Sequence, residues 1–162
     1  MKPVIPAITT GLFRKNLTLI VMLKVAHAVL FREGKYVLQL RDDIPTITGA
    51  GKWALFGGKV EDGEDARTAV IREVKEELCV SLNNPQLLWA YDHYSEWGDK
   101  VLFTFFEDDI TEQWGQHRLT EGQAVDCFTY DQLADLDVQS FIREILDRHY
   151  REKSDQEDGG LV

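Results

Sequence analysis

The stretch GGKVEDGEDARTAVIREVKEELCV, running from Gly57 to Val80, decides how the rest of the chain is read. Asp65 is a good helix N-cap, and Ala66 to Leu78 follow it as a helix. At 3.6 residues per turn, Glu73, Glu76 and Glu77 fall within one narrow arc. Val70, Ile71, Val74 and Leu78 lie on a neighbouring arc and supply the core-facing stripe. Ala66 and Ala69 share the glutamate side, where their small side chains leave room for a ligand. Like charges at these spacings cost a few tenths of a kcal/mol per pair even when solvated. Partial burial raises that cost sharply, and a hard divalent cation with oxygen ligands removes it. Upstream, Gly57-Gly58 closes a short strand, Trp53 to Phe56, where the missing side chains let backbone approach a ligand.

A solvated acidic face is the competing reading of the helix, because surface glutamates on helices are common. The flanking residues decide against it. Gly58, five residues, Glu64, seven residues, then Arg72-Glu73 and Glu76-Glu77 is a set of six residue types at fixed spacing. Average residue usage gives such a set on the order of once in ten million positions. This segment resembles the signature of the Nudix hydrolases, and of their MutT-like members, enzymes that cleave nucleoside diphosphates linked to another group. The resemblance implies an α/β fold, a Nudix-type α/β/α sandwich with a mixed sheet, over roughly Val25 to Tyr150.

The resemblance also implies roles. Mg²⁺, with Mn²⁺ as an alternative, would be held by Glu73, Glu76, Glu77 and the backbone carbonyl of Gly58. Glu73 would be a ligand or the base that activates water. Arg72 would orient the glutamates by ion pairing, and Glu64 would brace the loop–helix junction. Arg41 and Lys59, with Gly57, resemble phosphate-contacting positions. The run Leu119-Thr120-Glu121-Gly122-Gln123 resembles a loop that brings a distal glutamate to the metal or the water, so Glu121 is a catalytic candidate, with Glu112 behind it. The pattern departs from the family at Cys79, where glycine is usual, and the expectation is an altered helix exit. It departs again at Phe56, where proline is common.

Composition bounds the partners. A net charge of −10, from 28 acids against 18 Lys plus Arg, argues against polymeric nucleic acid and against an anionic membrane surface. It leaves room for a small nucleotide diphosphate substrate if a metal supplies local positive charge. The two cysteines, Cys79 and Cys127, lack disulfide or zinc-type spacing, which fits a cytoplasmic protein. The chain is read as a single domain over 1–162, with an irregular lead-in at 1–16 and a frayed tail at 151–162; a homodimer is left open. The apolar run Leu17 to Phe31 is interrupted by Lys24 and His27 and is shorter than a bilayer span, so it is read as buried strand. Further strands are expected at Tyr36 to Leu40, Leu87 to Tyr91, Val101 to Phe106 and Val125 to Tyr130. Asp42 to Gly51 and Asp108 to Gln123 are expected as loops, and Val138 to Tyr150 as a second helix.

Substrate is less legible. No proline follows Pro85, whereas ADP-sugar members of the resembled family often carry one. Members acting on oxidised guanine present a late asparagine, and Asp137-Val138-Gln139-Ser140 offers only Gln139 as a substitute. The reading is a metal-dependent pyrophosphohydrolase of nucleoside triphosphates or nucleotide-linked diphosphates. A nucleotide-sugar or ADP-ribose-type diphosphatase is the alternative, as is a non-catalytic nucleotide-binding regulator on the same fold. The latter would be expected to have lost Arg72 or the glutamates. Trp53, Trp89, Tyr91, Tyr94 and Trp97 could stack a base, although core packing suits most of them better. His27, His93 and His117 are read as structural or solvated.

Overall fold

The computed structural model describes residues 22–95 and 98–158. The lead-in at 1–16, the start of the apolar run, Trp97 and residues 159–162 lie outside the described residues. Strand β1 (Leu23–Arg32) organises the sheet. One of its edges pairs in parallel with β6 (Lys100–Asp109) from Leu23↔Val101 to Phe31↔Asp109. Its other edge is shared. Leu30 to Arg32 pair antiparallel with β2 (Lys35–Leu40), and Val25 to Ala28 pair antiparallel with β4 (Phe56–Lys59).

Beyond that short ladder the β1–β2 hairpin opens like a fork. Strand β3 (Trp53–Ala54) continues on β2, β4 continues on β1, and Leu55 spans the gap between them. Strand β7 (Ala124–Phe128) covers the far edge of β2, and β5 (Gln86–Tyr94) the far edge of β6. The sheet is therefore mixed.

Alternation along these strands sends side chains to two faces. Ala26, Ala28, Leu30, Val37, Phe56 and Phe106 meet Ala69, Val70, Val74 and Leu78 of α1 (Ala66–Leu78). On the opposite face Val29, Tyr36, Leu38, Leu55 and Phe105 meet Ile142, Ile145 and Leu146 of α2 (Ser140–Asp158). A helix on each face of a mixed sheet gives the α/β/α sandwich. No helix among the described residues is long and apolar enough to cross a membrane.

Two expectations change. The second helix does not fray after Tyr150 but continues to Asp158. Ion pairs hold the polar extension: Arg148 to Glu152 at 2.8 Å one turn along, and Lys153 to Glu107 on β6 at 2.9 Å. Ala69 is fully buried, so its small side chain serves core packing and not a ligand.

The exit of α1 also differs from expectation. Cys79 adopts the left-handed conformation, φ 60° and ψ 18°, and its N–H closes on the Lys75 carbonyl at 3.1 Å. The chain thus takes the turn that glycine would take more cheaply. A side chain in this region costs about 1–2 kcal/mol, and the greater unfolded-state freedom of glycine returns about 0.4–1 kcal/mol.

On the α2 face His149 is buried, with Nδ1 3.0 Å from the Tyr36 hydroxyl and Nε2 2.9 Å from Glu107. Burial pulls its pKa down, against the opposing pull of Glu107. The neutral ring accepts a hydrogen bond from the Tyr36 hydroxyl at Nδ1 and donates its Nε2–H to the carboxylate. His27 lies across Phe103 and Phe105 at ring separations of 6.0 and 5.8 Å, and burial lowers its pKa to about 4.

Two outcomes follow from this packing. Cys79→Gly is expected to raise Tm by about 1–4 °C; a fall would show that the Cys79 side chain contributes more than the backbone strain costs. Below about pH 6.5 the unfolded chain takes up protons on His27 and His149 that the folded chain resists, so stability is lost as pH falls toward 4. His27→Gln is expected to flatten the Tm profile between pH 7 and 5 relative to the unaltered chain, and an identical profile would refute the burial cost.

Candidate active site

The fork in the sheet is where the glycines and the acids meet. Gly57 has φ +130°, and a Cβ there would stand 2.1 Å from the Ala26 carbonyl oxygen. At Gly58 the obstacle is a side chain: a Cβ would lie 2.6 Å from the Glu73 carboxyl carbon. At Gly57 the clash with backbone excludes any larger residue, whereas at Gly58 it is with the movable end of Glu73, so a side chain there would displace that carboxylate. Contrary to the expectation that they follow the strand, both lie within β4.

Glu77 is only 4% exposed and turns into this gap. Its Oε2 accepts the Gly57 N–H at 2.9 Å, and its Oε1 lies 3.4 Å from the Gln39 side-chain amide, which also reaches the Leu55 carbonyl at 3.4 Å. Backbone groups left open by the fork are thereby satisfied from side chains. Burial pushes the Glu77 pKa up to about 7, although the Gly57 N–H and Gln39 favour its charged form. Sequence reasoning missed Gln39. Its signal was a polar residue within the apolar strand Tyr36-Val37-Leu38-Gln39-Leu40.

Arg72 gathers the remaining acids. Its guanidinium grips Glu64 through two nitrogens at 2.6 and 3.3 Å, reaches Glu73 at 2.8 Å and Glu76 at 3.1 Å, and donates to the Lys59 carbonyl at 3.0 Å. Glu64 in turn accepts the Glu61 N–H at 2.8 Å. The three helix glutamates therefore share an arc but not an environment. Glu77 is buried, Glu73 is partly buried with its pKa raised chiefly by that burial, and Glu76 is 60% exposed. With Arg72 drawing Glu73 and Glu76 and the fork drawing Glu77, no three acidic, histidine or cysteine side chains among the described residues form a ready ion cage.

Glu121 arrives from the segment after β6. Arg118 N–H and Thr120 N–H donate to the Leu78 and Glu77 carbonyls, each at 2.9 Å, and the Thr120 hydroxyl donates to the Glu76 carbonyl. Gln123 attaches the other end to β2, its N–H to the Leu40 carbonyl and its amide to the Arg41 carbonyl, both at 2.7 Å. The Glu121 charge helps to raise the pKa of both Glu73 and Glu77, so the three carboxylates share one field. Glu112 is exposed, just before the short 3₁₀ turn Trp114–Gln116.

Arg41 leaves the end of β2 and lies against Gly49, where a Cβ would stand 3.6 Å from Arg41 Cδ and 3.5 Å from Gln139 Oε1. The structure thus brings Arg41 and Gln139 to one place. The Lys59 side chain is exposed. Trp53 packs edge-on against Phe128, Trp89 lies under the Arg148 guanidinium, and Tyr91 packs on Phe105, whereas Tyr94 is exposed. His93 stacks on Phe141 at 4.0 Å and His117 on Trp114 at 3.8 Å.

Comparison with known proteins agrees with this architecture. An uncharacterized Nudix hydrolase, YvcI, of Bacillus subtilis (strain 168) is 40% identical over 68 residues, which are 39% of this chain and 43% of that protein. A CTP pyrophosphohydrolase of Escherichia coli (strain K12) is 42% identical over 59 residues, 36% of this chain and 42% of the other. Each alignment thus spans less than half the length of the curated relative. The crystal structure of a MutT NUDIX hydrolase from Burkholderia pseudomallei superposes with a TM-score of 0.66 at 28% identity, covering 77% of this chain and 95% of that one. The NUDIX domain matches residues 22–149, from the start of β1 through the first half of α2, and with the glycine fork, the Arg72 hub and the helix glutamates inside that span, the chain belongs to the Nudix family.

Proposed function

We propose that the protein is a divalent-cation-dependent hydrolase of the pyrophosphate linkage in nucleoside triphosphates or other nucleoside diphosphate derivatives. The observation that carries this reading is the excess of carboxylate around Arg72. Glu64, Glu73 and Glu76 all contact that one guanidinium, while Glu77 and Glu121 add charge to the same field. Carboxylates crowded this closely, with Glu77 buried and Glu73 partly so, favour a hard cation, and every ligand atom they offer is oxygen. Glu73, Glu76, Glu77 and the Gly58 carbonyl would hold Mg²⁺ or Mn²⁺. When bound, such an ion offsets phosphate charge and acidifies water.

The chain's own groups supply the rest. Glu121 or Glu73 takes the proton of the attacking water, whose oxygen bonds to phosphorus as the bridging P–O bond breaks. A nucleoside monophosphate and the remaining phosphorylated group leave. Arg72 holds Glu73 and Glu76 in place, and Arg41 and Lys59 would bind the phosphates; Gly57 is buried with its N–H given to Glu77, so it shapes the site without meeting substrate. The name of the E. coli relative, a CTP pyrophosphohydrolase, favours a nucleoside triphosphate over a nucleotide sugar.

Phosphate release from a panel of nucleoside triphosphates, nucleotide sugars and ADP-ribose, with Mg²⁺ and with EDTA, tests the reading. Turnover is expected with Mg²⁺ only. No turnover on any member of the panel would favour a nucleotide-binding regulator. Glu76→Gln is expected to lower kcat by more than about 10²-fold, beyond what loss of a supporting contact costs. Because Glu76 is exposed, Tm without metal should stay within about 1 °C. Mg²⁺ at a hundredfold excess over its Kd should stabilise the unaltered protein by about 2.7 kcal/mol, and the variant less at the same concentration. Unaltered activity in the variant would remove Glu76 from the metal site.

A further inference from the structure

An α-helix ends with carbonyls that have no partner within the helix. In α1 the Cys79 N–H satisfies the Lys75 carbonyl, and the next three carbonyls turn elsewhere. Glu76 O receives the Thr120 hydroxyl, Glu77 O the Thr120 N–H and Leu78 O the Arg118 N–H. The end of the signature helix is therefore capped by the segment that carries Glu121. Thr120 makes two of the three bonds, and both land on residues whose side chains belong to the acidic site.

The far side of Glu121 is fixed as firmly. Gly122 has φ +88°, and a Cβ there would stand 2.9 Å from the Leu40 carbonyl oxygen, so the chain crosses the strand end where only glycine fits. Gln123 then bonds the Leu40 and Arg41 carbonyls. Glu121 is suspended between two anchors, one on the helix bearing Glu73, Glu76 and Glu77, the other on the strand end bearing Arg41.

We infer that Thr120 is a positioning residue: by tying the loop to the last turn of α1 through its hydroxyl and its N–H, it holds the Glu121 carboxylate in register with Glu73 and Glu77. The inference rests on the proposed role of Glu121. Thr120 itself touches neither substrate nor reacting atoms. Its hydroxyl is the separable part of the tie, because valine keeps the shape and the N–H but cannot donate to Glu76 O, whereas serine can.

Thr120→Val, Thr120→Ser, Glu121→Gln and the Thr120→Val/Glu121→Gln pair form the test, on whichever nucleotide the panel identifies. Thr120→Val is expected to lower kcat by about 10- to 100-fold, the size of effect that a misplacement of about 1 Å produces, with KM within about threefold. Thr120→Ser should recover kcat to within about threefold. In the Glu121→Gln background Thr120→Val should change kcat by less than about twofold, since residues acting as one unit are not additive. Amide exchange supplies a readout independent of turnover. Protection at 118–123 should fall at least about tenfold in Thr120→Val, with 66–78 unchanged. An equal loss in both backgrounds, a serine variant as slow as valine, or unchanged protection at 118–123 would overturn the inference. If no nucleotide is turned over the functional reading fails, and the exchange result still decides whether the tie exists.

Discussion

One buried carboxylate sets the terms for this structure. Glu77 lies within the fork of the sheet and accepts a backbone N–H from Gly57, so the helix that carries it cannot dock elsewhere without leaving a charge unsatisfied in the core. A buried carboxylate without partners costs several kcal/mol. That cost, more than the apolar stripe of Val70, Val74 and Leu78, fixes the register of α1 on β4, because an apolar face can slide by a fraction of a turn and a directional hydrogen bond cannot. The glycine pair follows from the same constraint. Gly57 must sit against the Ala26 carbonyl to aim its N–H at Glu77, and a side chain at Gly58 would push the Glu73 carboxylate from its place.

Arg72 solves the complementary problem. Glu64, Glu73 and Glu76 would repel one another at these distances, and one guanidinium with several donors answers all three while also closing on the Lys59 carbonyl. Lysine could not do so, since a single ammonium cannot present donors along a planar fork. The balance is incomplete by design of the charges: one cation meets three carboxylates, and two more lie in the same field. The fold therefore tolerates a local excess of negative charge that a bound cation would relieve.

Much of this was legible in the sequence. The bounds of α1 and its Asp65 cap follow from periodicity and capping chemistry over a short window, and the α/β/α sandwich from the family resemblance that the same window carries. What was not legible depends on contacts between distant segments. Nothing local says that β1 would exchange partners halfway along, so Gln39 looked like an ordinary strand residue and Gly57-Gly58 like a strand end. Ala69 was read by helical angle alone, which gives direction but not depth, and it proved to be core. The run after Tyr150 is polar on every face, and polar helices are read as tails. Here Lys153 reaches Glu107 on the sheet and gives the extension a tertiary anchor.

Cys79 shows how such distant contacts override local preference. A left-handed residue is costly for any side chain but glycine, yet relaxing it would redirect the chain leaving α1 and pull Val80 and Leu82 from the core. Exposing two such side chains, at about 1.5–3 kcal/mol each, outweighs about 1–2 kcal/mol of backbone strain. The strain is therefore retained, and Cys79 takes the left-handed turn that glycine takes more cheaply.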